Sequence, residues 1–238
     1  MKMKIMISAI ALGLALLIAP AQAQTPSLFA TFVQEGNTSP FVFSTTGNVG
    51  SFGLASAIPV SFYYQTTNGL GTAVGENIPA IMTMSSVNDG AAFTDTSFLV
   101  QSLKNIDIRF TSAGAPADSG DLLKISMSTG YLLASPGGQT ARLSATESAT
   151  GTSVINFASD YLDFSQPLVN KNLSISFSSV DPKIAMDSNG LLVPFTASAT
   201  GNFGSAPVPA PKNSIPEPGT LVLAALGGLA LARRRKAA

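Results

Sequence analysis

Residues 172–179 alternate strictly between large apolar side chains and small polar ones. Successive side chains of a β-strand point to opposite faces, so this pattern predicts a strand with one buried face and one solvent face. Residues 106–110 repeat the pattern, with Asp107 and Arg109 predicted to face solvent. A chain built from such segments can bury its apolar side chains only by packing one sheet face against another.

The same two-residue period recurs along most of the chain, and no convincing helical period accompanies it. Clusters of Gly, Asn, Asp, Ser and Pro separate the segments, as at 136–138 and 188–190, and favour turns. We therefore predict an all-β, antiparallel β-sandwich-like body, or a sheet that closes on itself. The solvent faces carry Ser, Thr, Asn and Gln rather than charged residues, which leaves strand edges little protected. The further predicted strands are 28–34, 41–44, 60–65, 80–84, 98–103, 122–127, 153–157 and 192–197.

The composition excludes several classes of active site. The chain has no His, Cys or Trp, so it lacks the residues for a Ser-His-Asp triad, a Cys-His pair or a His- or Cys-based zinc site. Disulfides are excluded as well, so the core alone must hold the body together. Enzymes that use only carboxylates, such as glycosidases, remain possible by residue type. Tyr63 and Tyr64 are adjacent and predict one core ring and one surface ring. We expect no catalytic residues, no cofactor and no enzyme activity.

Three groups of acidic residues could hold Ca²⁺ if turns brought them together. Asp160 and Asp163 are three residues apart, and so are Asp118 and Asp121; Asp187 opens a short Asp-Ser-Asn-Gly segment. The Asp187 segment resembles the start of a calcium loop but lacks the bidentate Glu at the required spacing. Acids that cap turns explain all three groups better, so we predict no metal site.

The N-terminus has the layout of a secretory signal peptide over residues 1–23. Two lysines precede an apolar stretch at 5–18, and Ala21 and Ala23 form a small-x-small cleavage site. We expect Sec-dependent export and a mature chain that begins at Gln24.

The C-terminus carries three elements in a fixed order. Two prolines two residues apart predict an extended segment that a processing enzyme can grip. The apolar run that follows has 12 residues; as a helix it would span about 18 Å, less than the roughly 30 Å of a bilayer core. The basic residues after it would stay in the cytoplasm. The elements are Pro216, Glu217 and Pro218, the run 221–232, and the cluster Arg233, Arg234, Arg235 and Lys236.

This tail resembles the PEP-CTERM sorting signal of Gram-negative bacteria, whose tails are also catalogued as ice-binding-protein-type C-termini. Ile215 stands where the family usually has Val. The resemblance implies recognition at Pro216, Glu217 and Pro218 by an exosortase-type membrane enzyme. It also implies transient residence in the inner membrane, followed by release to the cell surface or the extracellular space, and a role in a biofilm or floc matrix.

The two ends also change how the charge is interpreted. Without the six basic residues of the end segments, seven basic residues remain against 13 acidic ones, a net charge of −6. A mildly acidic body argues against a nucleic-acid partner. The predicted organisation is a signal peptide (1–23), a β-rich exported domain (24–204), a Pro-rich linker (205–214) and a sorting tail (215–238).

These observations favour a non-enzymatic exported protein of the cell surface or extracellular matrix, with extracellular polysaccharide as an expected partner. The first alternative is a carbohydrate- or surface-binding module, with or without calcium, including an ice-binding face rich in threonine. The second alternative is a glycosidase that uses only carboxylates.

Overall fold

The computed structural model describes residues 26–47, 49–65, 77–95, 97–113, 120–147, 153–206 and 209–211. These residues form an all-β body with antiparallel strands and no helix, as the sequence predicts. The predicted signal peptide, including Ala21 and Ala23, and the predicted sorting helix in the tail lie outside the described residues. Within the described residues, no helix is long and apolar enough to cross a membrane.

Fourteen strands lie in the described residues, and the longest exceed the mean strand length of about five to six residues. They are β1 (Ser27–Gln34), β2 (Phe41–Thr46), β3 (Val49–Leu54), β4 (Ile58–Tyr64), β5 (Ile78–Asn88), β6 (Phe93–Asp95), β7 (Phe98–Ser112), β8 (Asp121–Ala134), β9 (Ala141–Thr146), β10 (Ile155–Ala158), β11 (Leu162–Asp163), β12 (Val169–Asp181), β13 (Phe195–Ala206) and β14 (Ala210–Pro211).

Eight of these strands form a ring of hydrogen-bonded neighbours that closes on itself. The order around the ring is β1, β4, β5, β7, β8, β9, β12, β13 and back to β1. The β2–β3 hairpin makes a second bridge, because β2 pairs with the start of β13 and β3 pairs with the end of β5. The ring encloses the core and leaves one continuous outer surface.

Phenylalanine fills most of the interior. Twelve of the 14 phenylalanines are buried or pack against the core, and only Phe93 and Phe98 are largely exposed. Rings from opposite sides of the ring of strands meet inside: Phe110 of β7 contacts Phe32 of β1 and Phe203 of β13. These contacts across the interior fix the position of β7 relative to β1 and β13.

Several predicted strand boundaries differ from the structure, and two of them affect how the chain is arranged. Segments 98–103 and 106–110 are one strand, β7, which passes through Asn105 at a φ of 51°; asparagine tolerates this left-handed backbone better than most residues. The strand predicted at 192–197 begins at Phe195 and continues to Ala206.

Candidate functional site: the root of the sorting tail and the outer face of the body

The described chain ends at Pro211, just before the predicted sorting tail (215–238). Ala210 and Pro211 form β14, which pairs with β11, and Pro209 is buried. Ser205 and Ala206, assigned to the linker from the sequence, are the last residues of β13. The folded body therefore extends beyond residue 204, where the sequence predicted a Pro-rich linker to begin. Pairing of β14 with β11 holds residues 210–211 against the body.

The polypeptide enters and leaves the body at the same end. Ser27, at the start of β1, pairs with Ser205, near the end of β13. Four residues lie between Pro211 and Pro216, and the five steps from one Cα to the next reach at most about 18 Å in any conformation. A processing enzyme that acts at Pro216 must therefore work close to this end of the body. Pro216, Glu217 and Pro218 themselves, like Arg233, Arg234 and Arg235, lie outside the described residues.

Two of the predicted acidic residues, Asp163 and Asp187, cap turns. Asp187 Oδ1 accepts hydrogen bonds from the backbone N–H groups of Asn189 (2.8 Å) and Leu191 (2.9 Å). Asp163 Oδ1 accepts one from the N–H of Ser165 at 2.8 Å. In both residues Oδ1 accepts backbone hydrogen bonds from within a turn.

Asp160 caps the start of β8 rather than joining Asp163. Its Oδ2 accepts the N–H of Asp121 at 2.6 Å. Asp121 in turn forms an ion pair with Arg109. Asp118, the predicted partner of Asp121, lies outside the described residues. Asp160 is thus a cap for β8, and Asp121 and Arg109 form an ion pair beside it, at the end of the body from which the tail leaves.

The two adjacent tyrosines divide as the sequence predicts. Tyr63 is half-buried on the outer face, whereas Tyr64 is buried and donates a hydrogen bond to the carbonyl oxygen of Leu122 at 2.8 Å. Burial raises the pKa of the Tyr64 phenol well above its ordinary value. Tyr64 is therefore a structural residue of the core.

The outer surface of β7, β8, β9, β12 and β13 holds a groove of about 620 Å³. We call it the Arg142 groove; Phe98, Leu133, Arg142, Ser176, Ser178 and Thr200 line it. One row of cross-strand neighbours passes through the groove. Its side chains are apolar on β6, β7 and β8, cationic on β9, and hydroxyl-bearing on β12 and β13. The row runs Phe93, Val100, Leu133, Arg142, Ser176, Thr200.

A second row lies two residues further along each strand. It places hydroxyl and amide side chains between two tyrosines in the order Tyr131, Ser144, Ser174, Asn202, Thr31, Tyr63. We call the surface formed by Thr31, Ser144, Ser174, Ser176, Thr200 and Asn202 the hydroxyl face. Across both described rows, Arg142 is the only Lys, Arg, Asp or Glu.

Sequence reasoning missed this groove because it missed β9. The strand alternates Ala141, Leu143 and Ala145 inward with Arg142 and two hydroxyl residues outward. Two of the three inward residues are alanines, which differ little in hydrophobicity from the polar residues between them, so the alternation was not recognised. The period of two was nevertheless present, and it would have placed Arg142 on the solvent face.

Comparisons with known proteins identify only the tail. The family model described as the PEP-CTERM protein-sorting motif matches residues 214–236, a range that includes Pro216, Glu217, Pro218 and the three arginines. No curated protein and no solved structure matches the chain. The ice-binding association of such tails is not confirmed.

The motif determines how the chain is handled in the cell. A PEP-CTERM signal marks an exported protein that is anchored transiently in the membrane and processed by exosortase, a membrane enzyme. The geometry described above places the processing site within a short reach of β14. The chain is thus identified as an exported protein that carries a PEP-CTERM sorting domain at residues 214–236.

Proposed function

We propose that this chain is a non-enzymatic protein of the cell surface or the extracellular matrix of a biofilm or floc. It is exported by the Sec machinery of a Gram-negative bacterium, with signal cleavage after Ala23. The sorting tail holds it at the inner membrane until exosortase acts, and the body then passes to the surface or the medium.

One observation carries this proposal: both ends of the body lie together, beside the root of the sorting tail. Ser27 and Ser205 pair at this end, and β14 leaves from it. Before processing, this end therefore lies nearest the membrane. The loops at the opposite end, such as 135–140 and 182–194, and the whole outer surface of the ring then extend away from the membrane. This arrangement suits a protein that works by displaying its surface.

The second candidate function is carbohydrate binding, and the hydroxyl face favours it. Neutral hydroxyl and amide groups between the exposed Tyr131 and the half-buried Tyr63 match the mixed polar and apolar surface of a sugar. This function is compatible with the first, because a matrix protein can be retained by the polymer it binds. The structure offers no comparable support for calcium assistance.

The test of sorting is the intact mass of the protein in each cell fraction of its native host. We expect a form in the surface or medium fraction that begins at Gln24 and ends near residues 216–218. A double variant, Pro216→Ala with Pro218→Ala, should accumulate in the membrane with its arginines retained. Pro167→Ala, an exposed proline of the body, is the matched control and should be processed normally.

Two results would contradict the proposal. The sorting part fails if the wild-type protein keeps residues 233–238 in the membrane fraction and never appears outside it. The non-enzymatic part fails if the purified exported protein cleaves glycans or esters at enzyme-like rates.

A further inference from the structure

We propose that the Arg142 groove binds an extended extracellular polysaccharide that carries carboxylate groups, such as a polymer of uronic acids. The inference rests on the proposed function, because it names the ligand class and the site for the carbohydrate-binding role. Three features of the groove support it: an exposed aromatic ring, an unpaired cation and a field of free hydroxyls.

The aromatic feature is unusual within this molecule. The two phenylalanines that lie outside the core, Phe93 and Phe98, are both 52% exposed, and both belong to the β6–β7 hairpin at the groove. Isolated exposed apolar residues are common on protein surfaces. Here, however, Phe98 lines the groove together with Leu133, and Phe93 follows Val100 and Leu133 in the same cross-strand row. Tyr131, two residues before Leu133 on β8, is 44% exposed. The result is an apolar strip on which the C–H face of a sugar ring can stack.

The cation is available for a ligand. The three ion pairs among the described residues are Lys104–Asp89, Arg109–Asp121 and Lys171–Glu147. Arg142 is in none of them, and its side chain is exposed. A guanidinium presents its donors in a fixed fork that matches a carboxylate with two parallel hydrogen bonds. No acidic side chain lines the groove, so a ligand carboxylate meets an attractive charge there despite the acidic body.

The hydroxyl groups beside Arg142 are also free. Among the described residues, Ser174, Ser176, Thr200 and Asn202 make no side-chain hydrogen bond to another protein group. By contrast, Ser178 and Ser198 satisfy each other at 3.0 Å. Free hydroxyl and amide groups can both donate and accept, which is what sugar hydroxyls require.

The shape favours a long flexible chain over a rigid plane. Both rows cross β8, β9, β12 and β13, and neighbouring strands are about 4.8 Å apart. The ring curves the sheet, and adjacent strands also twist by roughly 20–25°. A flat lattice such as ice could touch only a few of these side chains at once. A polysaccharide can follow the curve from the apolar strip past Arg142 to the hydroxyl face.

The test uses the processed protein, purified from its host, and titrates it with polygalacturonate by calorimetry at low and at physiological salt. Methyl-esterified polygalacturonate, which has the same backbone without the charges, is the control polymer. We expect wild type to bind the acid polymer more tightly than the ester. Arg142→Gln should lower the affinity for the acid polymer about tenfold and leave the ester unchanged. Arg142→Lys should give an intermediate loss, because the charge remains without the fork.

Lys124→Gln is the matched control. Like Arg142→Gln, this substitution removes one exposed positive charge. Lys124, however, lies on β8 nine residues before Leu133, about 30 Å along the strand. We expect it to change the affinity less than twofold, whereas Phe98→Ala should weaken binding of both polymers. Far-UV circular dichroism of each variant verifies the fold.

The inference is overturned if wild type does not bind the acid polymer, if both polymers bind equally, or if the Arg142 and Lys124 variants lose affinity alike. If the protein reaches the matrix fraction without binding polygalacturonate, this inference fails and the surface role stands. If it binds but is found in neither the surface, the matrix nor the medium fraction of its host, the proposed function fails and the site stands.

Discussion

Phe110 provides the sharpest test of the closed ring, because its side chain links strands from both sides of the body. Its ring centroid lies 5.1 Å from those of Phe32 and Phe62 and 5.6 Å from that of Phe203. It has no solvent exposure. Phe110→Ala removes these three ring contacts and leaves a cavity that strands fixed on both sides cannot close. We expect a loss of about 3–5 kcal/mol in the free energy of unfolding.

For a body of this size, each kcal/mol lowers the melting temperature by about 2–4 °C, so the variant should melt about 6–20 °C below wild type. Urea unfolding followed by far-UV circular dichroism measures the free energy directly, and it does not require tryptophan, which the chain lacks. Phe110→Leu retains much of the apolar volume and should lose less.

The matched control lies at the other end of the same strand. Phe98 of β7 is 52% exposed, so Phe98→Ala should change the free energy of unfolding by no more than about 0.5 kcal/mol. The reasoning is refuted if the two alanine variants are equally destabilised, or if Phe110→Ala loses less than about 1 kcal/mol. Either result would mean that the four rings do not meet across the interior as described.

Four further substitutions test other contacts by urea unfolding. A Cβ at position 201 would lie 2.4 Å from a ring atom of Phe32, so Gly201→Ala should cost about 1–3 kcal/mol; no loss would mean that β1 and β13 are not so close. Lys171→Ala should cost about 1–3 kcal/mol, because it leaves the mostly buried carboxylate of Glu147 without its partner. Lys104→Ala breaks an exposed ion pair with Asp89 and should cost less than about 1 kcal/mol. Equal losses from the two variants would contradict this reasoning. Because burial raises the pKa of Tyr64, its contribution to stability is complete below pH about 10 and falls as the pH rises above that value. Tyr64→Phe should therefore reduce the loss of stability at alkaline pH. If the free energy of unfolding falls with pH as steeply in the variant as in wild type, Tyr64 is not the buried phenol described here.

The sequence predicted those strands that have strong apolar contrast and missed those built around small residues. Segment 172–179 alternates large side chains with serine, and it lies within β12 as predicted. The extension of β13 was missed because Gly201 and Gly204 have low strand propensity. In the structure, Phe32 and Ile175 crowd the position of a Cβ at residue 201. Glycine is therefore present because neighbouring strands pack closely, and this pairing is invisible in one sequence.

The candidate groove could not be predicted for a related reason. Its lining comes from five strands, and their order around the ring depends on pairings between residues far apart in the chain, such as Val33 with Thr200. A period of two shows which side chains face outward but not which strands are neighbours. The sorting motif, in contrast, is a contiguous segment, and for this reason the sequence alone was enough to find it.

Ring closure also explains why the outer surface can carry so few charges. Uncharged strands rich in serine and threonine would invite pairing with other chains if their edges were open. Here eight strands satisfy each other around the ring, so among the described strands the exposed edges are mainly those of the short β6 and β10. Charged side chains are then not needed to prevent edge pairing, and the outer face is free to present hydroxyls. A hydroxyl face with one unpaired arginine beside it is therefore compatible with a stable fold, and the polygalacturonate titration tests whether that surface binds a ligand.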